Sequence, residues 1–159
     1  MLCNEYAFTY ARGPTFPPHD HGAVAVIDGN TIKFTPFRTA NVPPPMAMCE
    51  VDVESAVVDV AISDDCSKMA VLHQDGVSIF TFEEKGPRLS SLKLAHCAKV
   101  EGVKSSAHGY MSLQVAFAGE SAVQVLQARE LETKLLRYDF DLADQGTEKL
   151  QETDAASAD

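Results

Sequence analysis

Apolar and polar residues alternate along most of the chain. Tyr6, Phe8 and Tyr10 form one such run, and Ile32 with Phe34, Val58 with Val60 and Ile62, Val77 with Ile79, Val123 with Val125, and Tyr138 with Phe140 form others. Period two over short runs bounded by Gly, Asp, Asn, Ser or Pro predicts half-buried antiparallel strands. About ten such runs leave little room for helix. The segment from Gln127 to Leu142 begins with helix formers and ends in alternation, and it reads as a polar turn leading into a strand.

The runs also repeat. Ala25-Val26-Ile27, Asp28-Gly29 and Ile32-Lys33-Phe34 are echoed roughly 45 positions on by Ala70-Val71-Leu72, Asp75-Gly76 and Val77-Ser78-Ile79. A weaker third copy is read in Val115-Ala116-Phe117, Gly119 and Val123-Gln124-Val125. Around the second copy a whole unit can be laid out, with strands beginning at Val57, Lys68, Val77 and Leu89. Four strands in about 40 residues, repeated, predict blades of a WD-repeat-like β-propeller. The expected fold is therefore all-β, a partial propeller of about three four-stranded blades over residues 4–142. A β-sandwich with similar hairpins is the alternative. Three blades fall short of the usual minimum of about four for a closed ring, so the chain is expected to be part of a longer protein or a truncated product.

Composition narrows the function. The chain has 159 residues, 45% of them hydrophobic, and a formal net charge of −10. No apolar run approaches the roughly 20 residues of a membrane span, and MLCNEYAF lacks the basic start and apolar centre of a secretory leader. A cytoplasmic location is expected, with the nucleus as a second possibility. The basic residues are scattered singly, as at Arg12, Lys33, Arg38 and Lys68, which disfavours direct nucleic-acid binding and points to proteins as partners. Cys3, Cys49, Cys66 and Cys97 lie far apart and read as reduced thiols, Cys49 and Cys97 within apolar strand patterns. Residues 143–159 carry many acids and no aromatic residue, the signature of a disordered acidic tail.

Pro43-Pro44-Pro45 cannot join a strand ladder and favours polyproline II geometry. It reads as a stiff connector between a third and a fourth blade strand. Together with VAVIDGN (Val24 to Asn30), Phe37-Arg38 and MAVLHQDGVSIF (Met69 to Phe80), the VPPPM stretch (Val42 to Met46) resembles the N-terminal propeller region of the largest, scaffolding subunit of the Elongator complex, the IKAP family. The resemblance runs from about Asn4 to Lys99 and places the chain at the passage from late first into second propeller. It implies a non-catalytic role in modifying wobble uridines of transfer RNA, through contacts with other Elongator subunits. In that family the radical-SAM and acetyl-transfer chemistry belongs to another subunit, and the full-length scaffold self-associates. A propeller segment of a trafficking or nuclear-pore coat, and a small metal-dependent hydrolase, are the rival readings.

Candidate chemistry is sparse. His19-Asp20-His21 is the one cluster of metal-type ligands, and Cys3 could in principle complete a zinc site. Its Pro-rich setting favours solvated loop histidines. Asp64, Asp65 and Asp75 lack the spacing of a calcium loop. Asp139 and Asp141 read as a solvated like-charged pair, and Ser105-Ser106 near His108 lacks a nucleophile elbow. No catalytic, cofactor-binding or metal residues are assigned from the sequence, and the chain is read as a non-enzyme without cofactors.

Overall fold

The computed structural model describes residues 7–42, 46–85, 88–99, 111–141 and 153–154. Among them there is no helix, and the strands form three four-stranded antiparallel sheets. The first holds β1 (Thr9–Arg12), β2 (Ala23–Asp28), β3 (Thr31–Pro36) and β4 (Cys49–Asp52) in chain order. The second holds β5 (Val57–Ile62), β6 (Lys68–His73), β7 (Gly76–Lys85) and β8 (Arg88–Lys99). The third holds β9 (Met111–Phe117), β10 (Ala122–Arg129), β11 (Glu132–Asp139) and the two-residue β12 (Thr153–Asp154). Each sheet is a four-strand meander, and the first strand of the second sheet, β5, lies beside both β1 and β9. These are successive blades of a partial β-propeller. Of the acidic tail, the described residues Thr153 and Asp154 pair with Arg137 and Leu136 of β11.

The repeat is real, with two corrections of phase. The bounds of β2 recur in β6, and the start of β3 in β7, at the interval of the sequence echo. The turns, however, are Gly29-Asn30 in the first blade and Gln74-Asp75 in the second. The two Asp-Gly pairs are therefore not equivalent; Gly29 takes φ 66° inside its turn, whereas Gly76 already opens β7. The third copy read from the sequence is displaced by one strand. Val115 to Phe117 and Val123 to Val125 form the first hairpin of their blade, β9–β10, whereas the earlier copies are second hairpins. Both kinds of hairpin alternate and turn tightly, so the pattern alone does not fix which is which.

Packing follows from alternation. Met69 and Val71 of β6 join Phe80 of β7 in a core against the first blade, where Ala23, Ala25, Ile32 and Phe34 receive them. Ala70 and Leu72, with Val77 and Ile79, face the third blade through Val115, Val123, Val125, Leu136 and Tyr138. The middle sheet is thus covered on both faces, and β6 is buried at all six positions. β7 and β8 run on together past the end of β6, as far as the Lys85–Arg88 pair. This extension brings Phe82 onto Phe34, with ring centroids 4.7 Å apart, and so straps the first blade to the second.

Between the middle and third blades a polar contact supplements the apolar seam. The Val115 N–H donates to Asp59 Oδ2 at 2.9 Å, so a carboxylate on β5 takes up a backbone donor of β9.

Candidate functional site

One rim of the first blade gathers the residues that the sequence made conspicuous. The 13–22 loop between β1 and β2 and the segment after β3 lie side by side. Phe37 N–H donates to Gly22 O, and Arg38 N–H to His21 O, each at 3.0 Å. Asp20 organises the loop: its Oδ1 accepts from the Gly22 N–H at 3.2 Å, an Asx turn, and its Oδ2 pairs with the Arg38 guanidinium. Gly22 sits at φ 60°, and a Cβ there would lie 3.1 Å from Arg38 N, so a larger residue would oppose both the turn and the pairing. The hydrogen bond from Arg38 holds the Asp20 carboxyl below the usual carboxylate range, and Asp20 in turn raises Arg38.

This rim borders a cleft of about 400 Å³, lined among others by Arg12, Thr15, Asp20, Val24, Phe37 and Arg38. Arg38 is committed to Asp20, whereas no described residue forms an ion pair or hydrogen bond with the Arg12 side chain. Phe37 is 41% exposed and gives the cleft an apolar wall. Physically the cleft offers a cation, an apolar surface and backbone polar groups, the means of holding a ligand rather than of moving a proton.

A second polar cluster pins the other rim of the middle blade. His73, only 2% exposed at the end of β6, reaches Ser55 Oγ with Nδ1 and Ser78 Oγ with Nε2, both at 3.0 Å. The Asp75 N–H donates to Ser55 Oγ at 3.2 Å and lies 3.4 Å from Nδ1. A neutral imidazole donates from one ring nitrogen and accepts at the other, so one of the two serine hydroxyls accepts from the ring and the other donates to it. Burial lowers the His73 pKa, against the opposing pull of Asp75 and Glu54. The network ties β6, β7 and the connection before β5 together, which is a structural task.

The remaining candidates separate. Asp64 and Asp65 lie in the β5–β6 turn and Asp75 in the β6–β7 turn. The six residues of β6 hold these turns roughly 20 Å apart, so the three carboxylates share no ion. Asp65 is a turn organiser: partial burial works to raise its pKa, but hydrogen bonds from Ser63 Oγ, Ser67 Oγ and the Ser67 N–H, with Lys68 nearby, hold it at about 2. Asp139 ends β11 beside Arg137, and Asp141 lies beyond the strand. No three described His, Cys, Asp or Glu residues are grouped to hold a metal. Cys3, Pro43 to Pro45, Ser105, Ser106 and His108 lie outside the described residues. Cys49 and Cys66 are free thiols, and burial raises both, Cys66 to about 11. The sequence names Arg12 and Arg38 only as scattered cations and gives His73 no role of its own. The Asp20-His21-Gly22 triplet carried an Asx-turn signal that could have revealed the role of Asp20, but nothing local announces its partner 18 residues away.

Comparisons with known proteins agree with this architecture. Residues 26–157 match the family described as the ELP1 N-terminal second beta-propeller. The chain is also 35% identical over 132 residues to Elongator complex protein 1 of Saccharomyces cerevisiae, an alignment covering 77% of this chain and 9% of the yeast protein. The chain thus spans under a tenth of the length of that relative. The family match overlaps the blades from Val26 onward, and the chain belongs to the family of the Elongator complex protein 1 second β-propeller.

Proposed function

We propose that the chain acts as a non-catalytic scaffold segment of an Elongator-type assembly, supporting modification of wobble uridines in transfer RNA through protein contacts in the cytoplasm. The observation that carries this reading is the match of residues 26–157 to the second propeller of that family. Propeller blades present wide, rigid rims and loops, a form suited to holding partners in a fixed geometry. The net charge of −10 adds support for protein rather than RNA contacts by this segment.

Two measurements test the proposal. Tagged at its own locus, the protein should co-purify with the catalytic and accessory Elongator subunits. Deletion of its gene should remove the modified wobble uridines from digested transfer RNA, as read by mass spectrometry. An unchanged nucleoside profile would overturn the functional reading.

A further inference from the structure

From the cleft on the first blade we infer a docking site for an acidic, partly apolar segment of a partner protein, with the Arg12 guanidinium as the group that receives its carboxylate. Arg12 closes β1 and lines the cleft, and no described residue engages its side chain. Arg38, the other cation there, is taken by Asp20. The three side chains leave the cleft with one net positive charge on a chain whose net charge is −10, so the cleft is locally complementary to an acidic ligand.

The walls say what accompanies the carboxylate. Phe37 and Val24 provide apolar surface within the cleft. Tyr10, two residues before Arg12 on β1, pairs with Val26 as Arg12 pairs with Val24. Side chains two apart share a sheet face, so Tyr10, which is 58% exposed, continues the apolar strip beyond the arginine. A volume of about 400 Å³ accommodates a few side chains rather than a folded domain. A nucleic-acid backbone fits poorly, because a run of phosphates needs several clustered cations and the cleft has one to offer. An extended peptide in which Asp or Glu alternates with Leu or Phe satisfies both the charge and the apolar strip.

The site does not depend on which assembly the chain serves, and its test is separate from the transfer-RNA measurement above. A short fluorescein-labelled peptide alternating Glu with Leu and Phe is titrated with the full chain and followed by anisotropy. A second peptide has Gln at every Glu position, and a labelled single-stranded oligonucleotide serves as a third probe. Saturable binding of the acidic peptide is expected, weakened roughly tenfold or more by Arg12→Gln and comparably by the Gln peptide. Arg12 is exposed, and far-UV circular dichroism checks that the variant keeps its fold. Equal affinity of wild type and Arg12→Gln, failure of the acidic peptide to bind, or tighter binding of the oligonucleotide would each overturn the inference.

Discussion

β6 and β10 hold the same place in their sheets, each the second of four strands with a partner on either side. Yet β6 is buried at every position, whereas β10 alternates between buried and half-exposed. The difference lies in what covers them. β6 is packed by the first blade on one face and the third blade on the other; β10 turns Val123 and Val125 to the middle blade and Leu126 away from it. A strand covered twice must be apolar nearly throughout and must place its polar residues where partners wait. In KMAVLH these are the end residues Lys68 and His73. A strand that, among the described residues, is covered on one face can put Gln124 on the other, while Gln127 needs the buried hydrogen bond it gives to Ser112 at 3.0 Å.

The largest expected effect breaks the comparison at its centre. Leu72→Ala should cost about 2–5 kcal/mol, because a fully buried side chain between two sheets leaves a cavity that neither can fill. Leu126→Ala, on the uncovered face of β10, should cost under about 1 kcal/mol. Urea unfolding followed by far-UV circular dichroism measures both, and equal losses would show that the two strands are equally enclosed.

Next in size is the histidine that closes the twice-covered strand. His73→Ala should cost about 1–3 kcal/mol by stranding the groups that meet at its ring. Its pH signature is more specific. The folded pKa lies below the unfolded value of about 6.5, so on acidification the unfolded chain takes up the proton first. This contribution is complete above about 6.5 and is lost as pH falls through the folded pKa. Urea midpoints for wild type should therefore decline from pH 7.5 towards 5.5, with a shallower decline for His73→Ala. β10 ends on the exposed Arg129 and has no counterpart of this group. Smaller again is Asp59→Ala, at about 1 kcal/mol, since the Val115 N–H then loses its acceptor across the seam between the two blades. A change in midpoint at constant slope is the readout.

These contrasts also explain what the sequence disclosed. The four strands of the middle blade were legible from Val57 to Cys97 because each alternates or runs apolar between turn residues, and β6, covered on both faces, is apolar from Met69 to Leu72. In the first blade the face turned to the core carries Ala23 and Ala25, opposite Pro36 and Phe34. Small residues there let two sheets approach, and alternation does not say which of two alternating sets is the closer one. The third blade was found one strand out of phase, because β9–β10 and β6–β7 are hairpins of the same local chemistry. The rim was partly visible through its prolines and His19-Asp20-His21, whereas the cleft was not. Arg38 pairs with Asp20 there, with Arg12 lining the same cleft, only because strand pairing folds the 13–22 loop back against the end of β3.

The smallest expected effect is the sharpest test of the uncovered face. Leu135 of β11 lies directly opposite Leu126 and is 40% exposed, while its neighbour Leu136 points into the core at 4%. Leu135→Lys should change stability by no more than about 0.5 kcal/mol, since the stem of a lysine can lie along the sheet with its ammonium in water. Leu136→Lys, by contrast, forces a charge into the seam and should prevent folding. A loss of several kcal/mol at Leu135 would mean that something covers this face in solution. Its dependence on protein concentration would then show whether that cover is a second copy of the chain. With no such loss, β10 and β11 stand as strands whose burial ends at the middle blade, and the asymmetry with β6 is a property of the single chain.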